Sequence, residues 1–185
     1  MKKTSLKKLL KNNFCILLVV FLTLGLCSCG GNMTDEQVQK ELERLLPVSY
    51  ELNEIFWGKG LPTKTTESSA AMQPVTDDCG YKSVDDIVDK AKTVFSEEYV
   101  AGIVSAVLTD SDDTDARYSD INGILKMDKT YPSFDVKGNI VVSTAKIKKQ
   151  NSRMVIVSAE YEDGGQTEIT LILQDGKWYL DSPTY

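Results

Sequence analysis

Histidine is absent from all 185 residues. That one gap excludes Ser-His-Asp and Cys-His catalysis, histidine-ligated zinc and imidazole proton relays. Cysteine is scarce: Cys15, Cys27, Cys29 and Cys79 are the four present, and three of them crowd the first thirty residues. Tryptophan occurs twice and proline five times. No apolar run reaches the roughly 20 residues that a bilayer-spanning helix needs. Basic residues are outnumbered, 21 against 27 acidic, for a net charge of −6.

What is present begins with Lys2, Lys3, Lys7, Lys8 and Lys11, ahead of the apolar run Phe14 to Leu26 and then Cys27-Ser28-Cys29-Gly30-Gly31. A basic segment, a short apolar core and a cleavage point with small residues make an export signal. Ser28 before Cys29, and Leu26 three before it, fit the pattern of a lipoprotein peptidase. Cys27 fits worse, since bulky Leu26 precedes it. The expectation is therefore a signal peptide over 1–28, a lipidated tether over 29–33 and one domain over 34–185. Cys29 is the lipidation site, carrying diacylglycerol and fatty acyl chains such as palmitate. Each buried CH₂ adds about 0.8 kcal/mol, and two chains suffice for stable anchoring. The localisation implied is the cell membrane, lipid-anchored on the extracytoplasmic face.

Processing there removes five lysines and no acid, leaving 16 basic residues against 27 acidic, a net charge of −11. Such a surface does not bind nucleic acid electrostatically; it favours cationic partners or metal ions. Cys79 is then the one thiol left, so the 157 residues from Cys29 onward hold together without an internal disulfide.

Along the domain, Thr34 opens a helix, with Gln37 placed for a capping box and Asp35 and Glu36 in its first turn. Val38, Leu42, Leu45 and Leu46 form its buried stripe, and Pro47 predicts a kink or restart. Residues 62–78 (PTKTTESSAAMQPVTDD) lack periodicity and read as an exposed loop. Ser83 caps a second helix, and Ser96-Glu97-Glu98 starts a third. Beyond Ala116 the period falls to two. Arg117 to Met127 reads as a strand with a bulge at Asn122-Gly123. Further strands over 139–148, 153–161, 167–173 and 177–180 are separated by Asn151-Ser152, Asp163-Gly164-Gly165 and Asp175-Gly176 at hairpin lengths. The fold class expected is α+β, with N-terminal helices packed on a C-terminal antiparallel meander.

Motifs that could carry chemistry fall short. Ser143-Thr144-Ala145-Lys146 matches the S-x-x-K of penicillin-recognising enzymes, but that chemistry needs both residues on one helical turn and the segment reads as a strand. Asp110, Asp112, Asp113 and Asp115 lack the glycine and the bidentate glutamate of a calcium loop. Glu160, Glu162 and Asp163 sit beside a hairpin turn, not across a cleft. Cys79 has no base. Trp57, beside Gly58, reads either as core or as the wall of a recognition groove. No catalytic residue, metal ligand or cofactor is nominated.

Three phrases carry a resemblance: LPVSYELNEIFWGKGLP over 46–62, YKSVDD over 81–86 and DGKWYLDSPTY over 175–185. Their layout resembles Gram-positive surface lipoproteins grouped with the IseA-type DL-endopeptidase inhibitors. The resemblance implies a non-enzymatic α+β domain that binds a cell-wall endopeptidase, here a cationic hydrolase, outside the membrane. The closing Gly-Lys-Trp phrase is also similar to cone-shaped NTF2-like or cystatin-like domains, which implies a small-ligand pocket between helices and sheet. Both alternatives stay open at the level of sequence.

Overall fold

A computed structural model describes residues 32–64, 70–109, 116–136 and 138–185. The span Asn32–Tyr185 forms a compact unit with its own core. No helix among the described residues is long and apolar enough to cross a membrane.

The helices begin where the caps place them. Thr34 accepts the Gln37 amide and Gln37 returns a bond to the Thr34 amide, starting α1, Asp35–Phe56. Ser83 and Asp86 repeat the device for α2, Val84–Lys92, and Ser96 caps α3, Glu97–Val107. Pro47 neither ends nor restarts α1, which runs through it as one 22-residue element. The stripe Val38, Leu42, Leu45, Leu52 and Phe56 is fully buried along one face. That burial outweighs the single intrahelical bond that proline removes.

Among the described residues two four-stranded sheets follow, where the sequence reading anticipated one. The first has the order β1-β4-β3-β2, built from Met72–Pro74 (β1), Leu108–Thr109 (β2), Tyr118–Ile121 (β3) and Ile124–Asp128 (β4). The second is the anticipated antiparallel meander of β5 (Ile140–Gln150), β6 (Met154–Tyr161), β7 (Gln166–Gln174) and β8 (Lys177–Leu180). Three particulars of the sequence reading are corrected. Asn122-Gly123 is a two-residue hairpin turn between β3 and β4, not a bulge. Both residues have positive φ (55° and 72°), the primed-turn geometry that asparagine and glycine adopt. The stretch 62–78 is not all exposed loop: it supplies β1 on the edge of the first sheet and buries Val75. Among the described residues the sheet continues past β1 only as a Thr63–Val75 bridge, so Pro74 sits at its edge, where a missing ladder donor is tolerated. The third correction is β2, which pairs parallel with β3 directly after α3.

α1 packs across β5 and reaches β8, while α2 and α3 pack on each other and on the first sheet. One hydrophobic cluster joins all of them. The α2–α3 connector covers the open edge of β8: the Ser96 amide donates to the Leu180 carbonyl at 2.8 Å and the Leu180 amide to Val94 at 2.9 Å. An exposed edge is thereby blunted. At the start of α1 the Met33 backbone exchanges two hydrogen bonds with the Gln150 side chain, at 2.8 and 3.1 Å.

Candidate functional site

The C-terminal end of α1 is where separate elements converge. Arg117, 2% exposed, donates through Nη1 to the Phe56 carbonyl at 2.9 Å and through Nη2 to the Gly58 carbonyl. Helix-terminal carbonyls carry the negative end of the macrodipole, and here they compensate a buried guanidinium in place of a carboxylate. The Tyr118 hydroxyl donates to Ile55 at 3.0 Å and accepts the Leu61 amide at 2.9 Å. Gly60 closes the turn with φ of 75°, and a Cβ there would lie 2.4 Å from Met127 Sδ. Only glycine fits that turn.

On the other side of the same helix end, Asn53 Nδ2 donates to Thr184 Oγ1 at 2.9 Å, and Thr184 meets Ser49 Oγ at 3.0 Å. Ser49 itself donates to the Leu46 carbonyl at 2.9 Å. This buried relay pins the chain end to α1 and sets the Tyr185 ring against Trp57, their centroids 6.5 Å apart.

Beside that pair lies a cleft of about 330 Å³ lined by Trp57, Glu98, Tyr99, Gly102, Ile103 and Asp181. Ser96 Oγ accepts the Tyr99 amide and donates to Asp181 Oδ1. Burial, followed by the proximity of Tyr185 and Asp181, pushes the Tyr99 hydroxyl well above its ordinary value. The indole N–H of Trp57 is buried without an acceptor among the described residues. Phe134, 62% exposed, is carried alongside by a 2.8 Å bond from its amide to the Trp57 carbonyl.

A second, apolar groove of about 550 Å³ runs along the opposite flank of α3. Val88, Phe95, Val100, Val104 and Tyr179 supply its walls, with Lys92, Glu97 and Asp175 among its polar lining. Between groove and cleft, the outward residues of α3 are Ala101, Gly102, Ser105 and Ala106, all exposed. The helix carries charge only in its first turn, at Glu97 and Glu98. Surface helices usually present charged residues to water, so this uncharged face stands apart.

The residues singled out in the sequence are distributed elsewhere, Trp57 excepted. Ser143 to Lys146 lie in β5 across a register shift, where Gln39 holds the carbonyls of Ser143 and Ala145. Glu160, Glu162 and Asp163 are exposed around the β6–β7 turn. Cys79 is half-buried, its thiol donating to the Tyr81 carbonyl at 3.3 Å, and the Tyr81 hydroxyl in turn donates to Glu51. Asp110 to Asp115 and Cys29, the expected lipidation site, lie outside the described residues. No cluster of three or more metal-ligating side chains occurs among the described residues. Tyr99, Gly102 and Asp181 carry no motif; only the fold brings them to Trp57. No family model matches the chain, and no curated protein is significantly similar to it.

Proposed function

We propose that this chain is a lipid-anchored binding domain on the extracytoplasmic face of the membrane, which does no chemistry of its own and restrains a basic cell-wall DL-endopeptidase. The observation that carries the reading is the uncharged outer face of α3, set between a groove and a cleft and bordered by Glu97, Glu98, Asp175 and Asp181. A face of small uncharged residues whose neighbours are acidic, Lys92 apart, suits a protein partner of opposite charge. The lipoprotein pattern ending at Cys29, the net charge of −11 after processing and the absence of histidine support the same reading.

Purified residues 32–185, mixed with candidate endopeptidases, should co-elute with at least one and slow its digestion of peptidoglycan. The complex should weaken as salt rises. No complex and no slowing across the set would remove the reading. Mass spectrometry of membrane fractions should find Cys29 acylated; an unmodified Cys29 there would remove the anchor. The groove favours a second reading, a small-ligand domain, because about 550 Å³ with an apolar lining can house one apolar molecule. Native mass spectrometry of freshly purified protein would reveal such a passenger.

A further inference from the structure

We infer that the cleft beside Trp57 is a subsite for an organic cation, and that its occupant is a lysine or arginine side chain of the partner. This rests on the reading that the partner is a basic protein. Trp57 and Tyr99 line the cleft, and Tyr185 stands against Trp57 from outside the lining, so two aromatic side chains from separate elements border one small space. Ammonium and guanidinium groups are attracted to such faces within about 6 Å of the ring centroid, most strongly to tryptophan.

Two carboxylates complete the surroundings. Asp181 has one oxygen engaged by Ser96 and the other without a partner among the described residues, and Glu98 is exposed and unpaired among them. No lysine or arginine lines the cleft. Among the described residues the only cation over an aromatic ring is Arg117, against Tyr118 and Tyr131. Aromatic walls, two acids and no resident cation leave a charge deficit that a positive group relieves. A volume of about 330 Å³ suits one long side chain, not a folded segment. Ser96 orients Asp181 while capping α3, so the acid is set in place before any ligand arrives.

Gly102 offers a clean test, since a Cβ there meets nothing within 4 Å and the residue lines the cleft. Gly102→Leu fills the space and raises helix propensity at the same position. Residues 32–185 carrying Trp178→Phe leave Trp57 as the single indole. Acetylated pentalysine amide should quench its fluorescence saturably; the pentaglutamine analogue should not. Gly102→Leu and, separately, Asp181→Asn should each weaken binding about tenfold. Glu160→Gln, exposed near the β6–β7 turn and outside both groove and cleft, should stay within about twofold, the range of a screened surface charge.

Equal quenching by pentaglutamine or by a neutral chitooligosaccharide would overturn the cation assignment. So would unchanged pentalysine binding in Gly102→Leu whose circular dichroism matches the parent. If that variant fails to fold, Glu98→Gln combined with Asp181→Asn gives the same decision. An endopeptidase complex indifferent to Gly102→Leu would sink the cleft and leave the proposed function standing. Pentalysine binding blocked by Gly102→Leu, with no endopeptidase bound, would do the reverse.

Discussion

Arg117 shows how much one residue can settle. Its guanidinium ties β3 to the last carbonyls of α1 and lies between the Tyr118 and Tyr131 rings, 6.0 and 5.5 Å from their centroids. Arg117→Met keeps the stem and deletes the donors, so buried carbonyls lose their partners. The expected loss is roughly 2–3 kcal/mol, read as a lower urea midpoint at unchanged slope. Arg117→Lys should recover little, because an ammonium cannot reproduce the planar fork. A midpoint within error of the parent would contradict this role. None of it was legible in the sequence, where an arginine at the start of a strand reads as a solvated end. Trp57 was legible only as a choice between core and groove, since its neighbours Tyr99, Gly102 and Asp181 belong to other elements.

Elements were more readable than contacts, because caps and turns are local. Thr34, Ser83 and Ser96 each sit one residue before a helix, and Asp175-Gly176 turns β7 into β8 with both φ values positive. Asn122-Gly123 carries the same chemistry but joins strands of only four and five residues, short enough to merge into one apparent strand. β1 escaped because Met72-Gln73-Pro74 has neither alternation nor β-branched residues. The α2 cap makes a prediction of its own. The backbone amides of Lys82 and Ser83 donate to Asp86, holding its carboxyl below the ordinary 3.8. A depressed folded value means the stabilisation is complete above the unfolded value and fades as pH falls through the folded one. The stability gap between the parent and Asp86→Asn should therefore be full near neutrality and close in acid below about pH 4. A gap independent of pH would contradict the charge on the cap.

At the scale of the whole molecule, tyrosine takes the place that histidine and disulfides hold elsewhere. Tyr50, Tyr81, Tyr99, Tyr118 and Tyr185 all have hydroxyls raised above 10.0, with burial the first cause in each. The unfolded chain would ionise them near that value, so stability is complete below it and drains away as pH climbs through the folded values. Tyrosinate absorbance and loss of near-ultraviolet circular dichroism should thus rise together in one cooperative step above pH 10. Five hydroxyls ionising before any loss of dichroism would contradict the shared burial. The length of α1 has a different kind of consequence. α1 starts beside the Met33–Gln150 exchange and ends at Trp57, a span of roughly 33 Å for 22 residues. Its first turn answers to β5 and its last to Trp57 and the chain end. Because one unbroken helix joins the two ends, Trp57 can shift relative to Gln150 only if the whole rod moves.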